Sequence, residues 1–274
     1  MNIKGFSSNM YGWTERWKMD GKKPQWEELF RACAEAGLDA VEIDAVTEKL
    51  KLARSFGLAV SASYIGLPLH IPFNDLGVEQ TVLPFAERLA AADGTDLLIN
   101  ADPINWKNPV PKSEDHFKQQ GENLSRISEL VASLGLKVCL HNHAADNHNA
   151  RGDLRSAIQY ADPHVGLCID TGWAYVSGCN PIEWVTDYPD RVFAFHLRNQ
   201  RGHVPSEDLL EGEINFVSLL DSAAAAKYNG WLALELWHPQ STQPVRTMLE
   251  DVEHSLDYLR HILHNRHVKL ADNK

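Results

Sequence analysis

Large apolar residues alternate with small or polar ones in eight short runs of the chain, and the stretches between them carry apolar positions at helical spacing. The alternating runs predict strands at Ile3–Ser7, Ala40–Asp44, Ala59–Ser63, Leu97–Asn100, Lys137–His141, Val165–Asp170, Val192–Leu197 and Trp231–Leu236. Helices are predicted at Trp26–Ala36, Glu48–Phe56, Gln80–Ala91, Glu114–Ser133, Leu154–Tyr160, Pro181–Asp187, Phe216–Ala225 and Gln243–His264, with Gly37 and Gly135 placed to stop two of them. Alternation of strand and helix implies a parallel sheet, and eight units imply closure into a (β/α)8 TIM barrel of the α/β class. A barrel typically takes about 250 residues, which the 274 available supply. No Pro/Gly/Ser-rich linker divides the sequence, so one domain over residues 1–274 is expected.

Four consecutive predicted strands end alike: Cys139-Leu140-His141, Cys168-Ile169-Asp170, Ala194-Phe195-His196 and Ala233-Leu234-Glu235. Strand side chains alternate faces, so each large residue points away from its possible ligand while the small residue shares the ligand's side. One His, Asp or Glu at a strand end is ordinarily a cap or a surface residue. Here the four are spaced by 29, 26 and 39 residues, close to the repeat of a βα unit of about 30, which makes four separate accidents a poor account. Two imidazoles and two carboxylates suit one divalent cation, Mn²⁺ first, with Co²⁺, Zn²⁺ or Mg²⁺ as alternatives. Barrel shear offsets neighbouring strands, so the pattern brings these groups to the mouth without fixing that they meet.

Composition narrows the function. The charge of −11, from 26 basic and 37 acidic residues, opposes binding to phosphate backbones, so nucleic acid is not expected as a partner. No stretch approaches the roughly 20 apolar residues of a membrane span, and the opening MNIKGFSSNMYGW has no secretory pattern, so no membrane partner and a cytoplasmic location are expected. The four cysteines show no Cys-x-x-Cys spacing; reduced thiols are expected, with Cys139 and Cys168 as small core residues.

The loops after the later strands hold His141-Asn142-His143, Asp170-Thr171-Gly172-Trp173 and His196-Leu197-Arg198. With the order of elements from Gly37-Leu38-Asp39 to Gly230-Trp231-Leu232, they make the chain resemble the sugar phosphate isomerase/epimerase superfamily with its xylose-isomerase-like barrel. The resemblance implies one divalent metal ion held by Asp170, His196 and Glu235, with His141 at the place of the strand-five ligand. Ketose 3-epimerases of the superfamily carry Glu on strand five, whereas His-x-His variants include enzymes resembling inosose dehydratases. Trp173 stands where His often follows Asp-Thr-Gly. That substitution removes a ligand expected of the apurinic endonucleases, which share the barrel and use several zinc ions. Enzymes of this kind are often dimers or tetramers, so a homodimer or homotetramer is an expectation.

The inventory supports a mechanism. The metal would chelate a ketone oxygen of a small carbohydrate or cyclitol, and Glu235 is the first candidate base for the neighbouring C–H, giving a metal-stabilised enediolate. His143, two residues past His141, would return a proton or protonate a leaving hydroxyl. Return gives an isomerase or epimerase, the main reading; loss of the hydroxyl gives a lyase, a dehydratase of a keto-cyclitol or keto-sugar. A non-catalytic sugar-binding barrel is the reading from another class. Substrate contacts are expected from Arg198, ahead of Arg201, and from Trp173 as an apolar wall. Trp13, with Tyr11 and Trp17, would cover the mouth from a loop, Trp237 would shield the site, and His70 and Asn100 are further candidates. Glu42, facing inward with Asp44, stands between a salt bridge and a substrate contact. His254, His261, His264 and His267 read as surface residues.

Overall fold

A computed structural model describes residues 1–108, 110–143, 150–264 and 269–270. Its centre is a closed parallel barrel of β1 (Gly5–Asn9), β2 (Ala40–Glu42), β3 (Ala59–Leu67), β4 (Asp96–Ala101), β5 (Lys137–His141), β6 (Gly166–Asp170), β7 (Val192–Leu197) and β8 (Trp231–Leu234). Closure is made by β8, whose Trp231 pairs with Gly5 of β1 and whose Ala233 pairs with His196 of β7. Around it lie α1 (Met10–Met19), α2 (Trp26–Glu35), α3 (Thr47–Ser55), α4 (Val78–Ala91), α5 (Glu114–Ala132), α6 (Ala150–Gln159), α7 (Thr171–Val176), α8 (Pro181–Asp187), α9 (Phe216–Ala225) and α10 (Met248–His264). The eight expected strands and the α/β barrel are thus present. No helix among the described residues is long and apolar enough to cross a membrane.

Alternation divides the strands as the sequence pattern requires. Leu140, Ile169, Phe195 and Leu234 belong to the large core between sheet and helices. Cys139, Cys168 and Ala194 turn the other way and pack with Ala62 and Leu98 inside the barrel. All four cysteines are free thiols, and the two inside the barrel are small packing residues. Small interior side chains leave the level above them open for longer polar ones.

Two helices lie where loops were expected. Asn9 caps α1, its side chain accepting a hydrogen bond from Tyr11 N at 2.7 Å, and Asp170 caps α7 by accepting from Trp173 N at 2.7 Å. Both cap residues were visible as N-cap types, but each stands at the end of a strand, which masked the helix start. The last helix begins at Met248 instead of Gln243 because Thr247 and Glu250 form a capping box, with Glu250 N donating to Thr247 Oγ1 and Thr247 N to Glu250 Oε2. His254, His261 and His264 are exposed on it, while His267 lies outside the described residues.

At the opposite end of the barrel from the strand termini, Asp96 opens β4 and is 3% exposed. Burial raises its carboxyl to about 6 against the pull of Lys4 and Lys137. An unfolded Asp releases its proton near pH 4, so between about 4 and 6 the folded chain keeps a proton that the unfolded chain has lost. The stability contributed by this group is therefore present at low pH and declines as pH rises through 6. Asp96→Asn, which cannot ionise, is expected to show a melting temperature, relative to the parent, that is more favourable at pH 8 than at pH 4.5. An identical difference at both pH values in thermal melts would refute the assignment.

Candidate metal centre and active-site cavity

His141 ends β5, Asp170 ends β6, His196 lies on β7, and Glu235 follows β8. One atom from each lies within 4.8 Å of the other three. Barrel shear alone would not produce this. Leu167 pairs with Val192 but Cys168 pairs with Ala194, so β7 carries one extra residue, Phe193, against β6. Beyond that bulge Asp170 is level with His196; without it Asp170 would face Phe195 and the two ligands would point to opposite sides of the sheet. Gly166 makes room for the bulge, because a Cβ there would overlap the Phe193 ring.

Asp170 and His196 are each anchored on one side and open on the other. Asp170 Oδ1 accepts from Trp173 N at 2.7 Å and from Arg198 Nε at 3.1 Å, while Oδ2 has no hydrogen-bond partner among the described residues. His196 Nε2 contacts Glu42 Oε2 at 2.6 Å, and Glu42 Oε1 accepts from Asn9 Nδ2 at 2.6 Å. The other ring nitrogen, His196 Nδ1, lies 2.9 Å from Glu235 Oε2 but without hydrogen-bond geometry, so both atoms remain unpartnered. His141 Nε2 is 3.6 Å from Asp170 Oδ2 and 3.8 Å from Glu235 Oε2, again with no hydrogen bond. His141, Asp170 and His196 are buried and the Glu235 side chain is 13% exposed.

Four unpartnered buried donor atoms facing one point are costly unless a cation shares them. Two imidazole nitrogens and two carboxylate oxygens are a fitting set for a divalent ion. Electrostatics in the protein alone show the crowding. Burial raises Asp170, with the negative Glu235 adding to the rise and Arg198 opposing it. Burial also works against the ionised Glu235, but His196 and His141 outweigh it and hold this carboxyl well below its usual range.

The reach of the site is set by its supports. Asn142 and Asp170 exchange hydrogen bonds, Asp170 N to Asn142 Oδ1 at 2.8 Å and Asn142 Nδ2 to Asp170 O at 2.9 Å, which ties the ends of β5 and β6 together. A Cβ at Gly172 would overlap Arg198, so the glycine of Asp-Thr-Gly lets the guanidinium lie across the start of α7. There it stacks 4.2 Å above the Trp173 ring.

A cavity of about 650 Å³ opens beside this cluster, lined by His141 and Glu235 but not by Asp170 or His196. His143, Trp173, Arg198, Trp237 and Tyr64 form its walls beside them. The His143 ring lies 4.4 Å from that of Trp173 and 6.1 Å from that of His141. Burial, helped by His141, depresses its pKa to about 3, so the imidazole is neutral at ordinary pH.

The other residues expected at the mouth divide. Glu42 lines the cavity, but both of its oxygens are engaged by Asn9 and His196, which makes it a support for a ligand. Trp13 is not brought to the mouth: α1 turns it inward, fully buried, with its indole donating to Ser8 Oγ at 3.0 Å, while Tyr11 reaches the cavity in its place. His70 also lies outside the lining; it packs edge-on against His116 at 5.7 Å, with its pKa lowered to about 4 by burial and Lys112. Asn100 donates to Asp102 at 3.0 Å, and Arg201 pairs with Glu211 on the surface. Tyr64 and Asn142 were not singled out from the sequence. β3 runs four residues past its predicted end at Ser63, and its alternation, continued from Ala62, points Tyr64 inward.

Residues 30–262 match the family model of the xylose isomerase-like TIM barrel. The chain belongs to this family. Among its relatives, an inosose dehydratase of Clostridium botulinum is 23% identical over 260 residues, which cover 82% of this chain and 86% of that one. Among solved structures, an L-ribulose 3-epimerase superposes with a TM-score of 0.73 at 15% identity, over 96% of this chain and 95% of that one. A sugar phosphate isomerase/epimerase from Parabacteroides distasonis gives 0.69 at 19% identity, over 95% and 94%. At such identities the structures show a shared fold.

Within this xylose isomerase-like barrel, Glu42 holds the Nε2 side of His196 and so presents Nδ1 to the centre. Partners of that kind fix the tautomer and orientation of a ligand imidazole. Glu42→Gln weakens this contact without emptying the space, and is expected to lower Mn²⁺ affinity by about 10- to 100-fold in calorimetric titration. Unchanged affinity would remove Glu42 from the centre.

Proposed function

We propose that the protein is a divalent-metal-dependent sugar isomerase or epimerase that removes a proton next to the ketone of a keto-sugar or related polyol. The carrying observation is the convergence of four unpartnered donor atoms, two of them from residues that line an aromatic-walled cavity. A divalent ion bound there, Mn²⁺ being our first choice, would supply Lewis-acid polarisation of the ketone. His141, Asp170, His196 and Glu235 would hold it.

The chain's own groups divide the remaining work. Glu235 has the most exposed side chain of the four and lines the cavity, so it is the first candidate to take the proton, and His143 on the cavity wall would return one or protonate a leaving hydroxyl. Arg198 has one terminal nitrogen, Nη2, without a hydrogen-bond partner among the described residues, and this donor faces substrate hydroxyls or a developing oxyanion. Trp173 and Trp237 present apolar faces to a sugar ring and exclude water. The names of the relatives agree with this substrate class, since ribulose and inosose are both polyols with one ketone.

A second reading, elimination of water, is favoured by one observation. His141 occupies the strand-five position, so no second carboxylate of the centre stands opposite Glu235 from that strand, and an inosose dehydratase is matched over most of both chains. Both readings begin with the same proton removal and differ in what leaves.

Elemental mass spectrometry on protein dialysed against Mn²⁺ is expected to find about one ion per chain. Asp170→Ala should abolish binding and His143→Ala should keep it while lowering turnover. Keto-sugars and keto-cyclitols incubated in deuterated buffer should gain deuterium next to the ketone. A product of unchanged formula supports isomerisation or epimerisation; loss of water supports the lyase. Absence of metal from the parent protein would overturn the proposal.

A further inference from the structure

Tyr64 has no part in the division of work above, although it lines the cavity together with His141, His143 and Glu235. Its place follows from the barrel's interior. β3 pairs Tyr64 with Leu98 of β4, and the ring packs against the inner layer of Ala62, Leu98, Cys139, Cys168 and Ala194. The thiols and methyl groups of that layer leave width for a phenol ring. The ring meets the His141 imidazole edge-on, with 5.2 Å between centroids and 81° between planes. Packing against the layer and against His141 thus fixes where the ring sits.

Its hydroxyl differs in status from those of three other tyrosines. Tyr228 donates to Trp231 O at 2.6 Å, Tyr160 to Glu114 and Tyr175 to Glu213. The Tyr64 hydroxyl makes no hydrogen bond to a described residue, although the side chain is half-buried and a buried phenol ordinarily finds an acceptor. Glu235, His196, Asp102 and Glu42 all act electrostatically on this hydroxyl, which sets it in the field of the candidate centre. A ring held by packing therefore carries a donor that the protein leaves unused. Arg198 Nη2, the other unused donor of the wall, follows β7. In the closed order β3 and β7 are four strands apart, the widest separation that eight strands allow.

We propose that Tyr64 is a catalytic residue, its hydroxyl donating a hydrogen bond to the carbonyl oxygen of the substrate as negative charge gathers there. This rests on the proton removal that both readings above share, and adds a residue to it. The C–H bond breaks, its proton passes to the Glu235 carboxylate, and its electron pair forms the C=C bond while the carbonyl π pair moves onto oxygen. The phenol keeps its own proton and only tightens its hydrogen bond. A donor positioned beforehand by its ring stabilises that oxygen without reorganising as the charge develops.

Tyr64→Phe removes the hydroxyl and keeps the ring against His141. Dialysed against Mn²⁺, the variant is expected to hold about one ion per chain and to melt within about 2 °C of the parent, because no hydrogen bond to a described residue is lost. The reaction is read as deuterium uptake next to the ketone, with whichever of D-fructose, L-ribulose and inosose the parent labels fastest. In the variant, kcat for uptake should fall about 10²- to 10³-fold while KM changes less than threefold. Loss of metal, or failure of the variant to fold, would make Tyr64 a packing residue behind His141 and overturn the proposal. Uptake at the parental rate would overturn it too, even with slower product formation, because the hydroxyl would then act after proton removal. A rise in KM at unchanged kcat would reduce Tyr64 to a binding contact and equally refute the role. In each of these cases uptake by the parent leaves the proton-removal reading standing; no uptake by the parent with any of the three sinks that reading and the role of Tyr64 with it.

Discussion

Two carboxylates and two imidazoles, all but Glu235 fully buried, share one small volume at the mouth of the barrel, and each leaves at least one atom unpartnered. Such a cluster is stable only when its charges are balanced and its geometry is fixed from outside. Much of the surrounding structure answers that demand. Arg198 and the first turn of α7 hold Asp170, Glu42 holds His196, and Asn9 holds Glu42 in turn. The small interior layer of Cys139, Cys168 and Ala194 leaves the level above it clear for the longer polar side chains.

The supports also shape the cavity. Arg198 lies over Trp173, which stacks near His143 on one side and Trp237, 6.1 Å away, on the other. The residues that fix the centre therefore also build the wall against which a sugar would rest. Across the mouth, α1 and the start of α2 add Tyr11, Thr14 and Trp26 to the lining, with Lys18 paired to Glu15 and Asp44 to Lys49.

Strand-five His141 is where this chain departs most from a symmetric two-carboxylate site. An imidazole there keeps a donor atom but offers no carboxyl of its own to oppose Glu235, so in the proposed reaction the ending would depend on groups outside the four. Tyr64, whose hydroxyl is kept protonated by burial and by Glu235, and the neutral His143 are two such groups on the cavity wall.

The sequence by itself determined the barrel, its eight strands and the identity of the four convergent residues, because period-two alternation assigns each residue to a face and the small–large–polar ending repeats on four strands. It also carried the capping signals at Asn9, Asp170 and Thr247, though the first two were hidden by standing at strand ends. Convergence was decided only by tertiary structure: the bulge at Phe193, which brings Asp170 level with His196, depends on how two strands pair and not on either strand's pattern. The same holds for Glu42, whose choice of His196 over a substrate is a contact between β2 and β7, and for Trp13, which the turn of α1 buries while Tyr11 takes the mouth. Local pattern fixes which face a side chain takes; only the packing of distant elements fixes what that side chain meets.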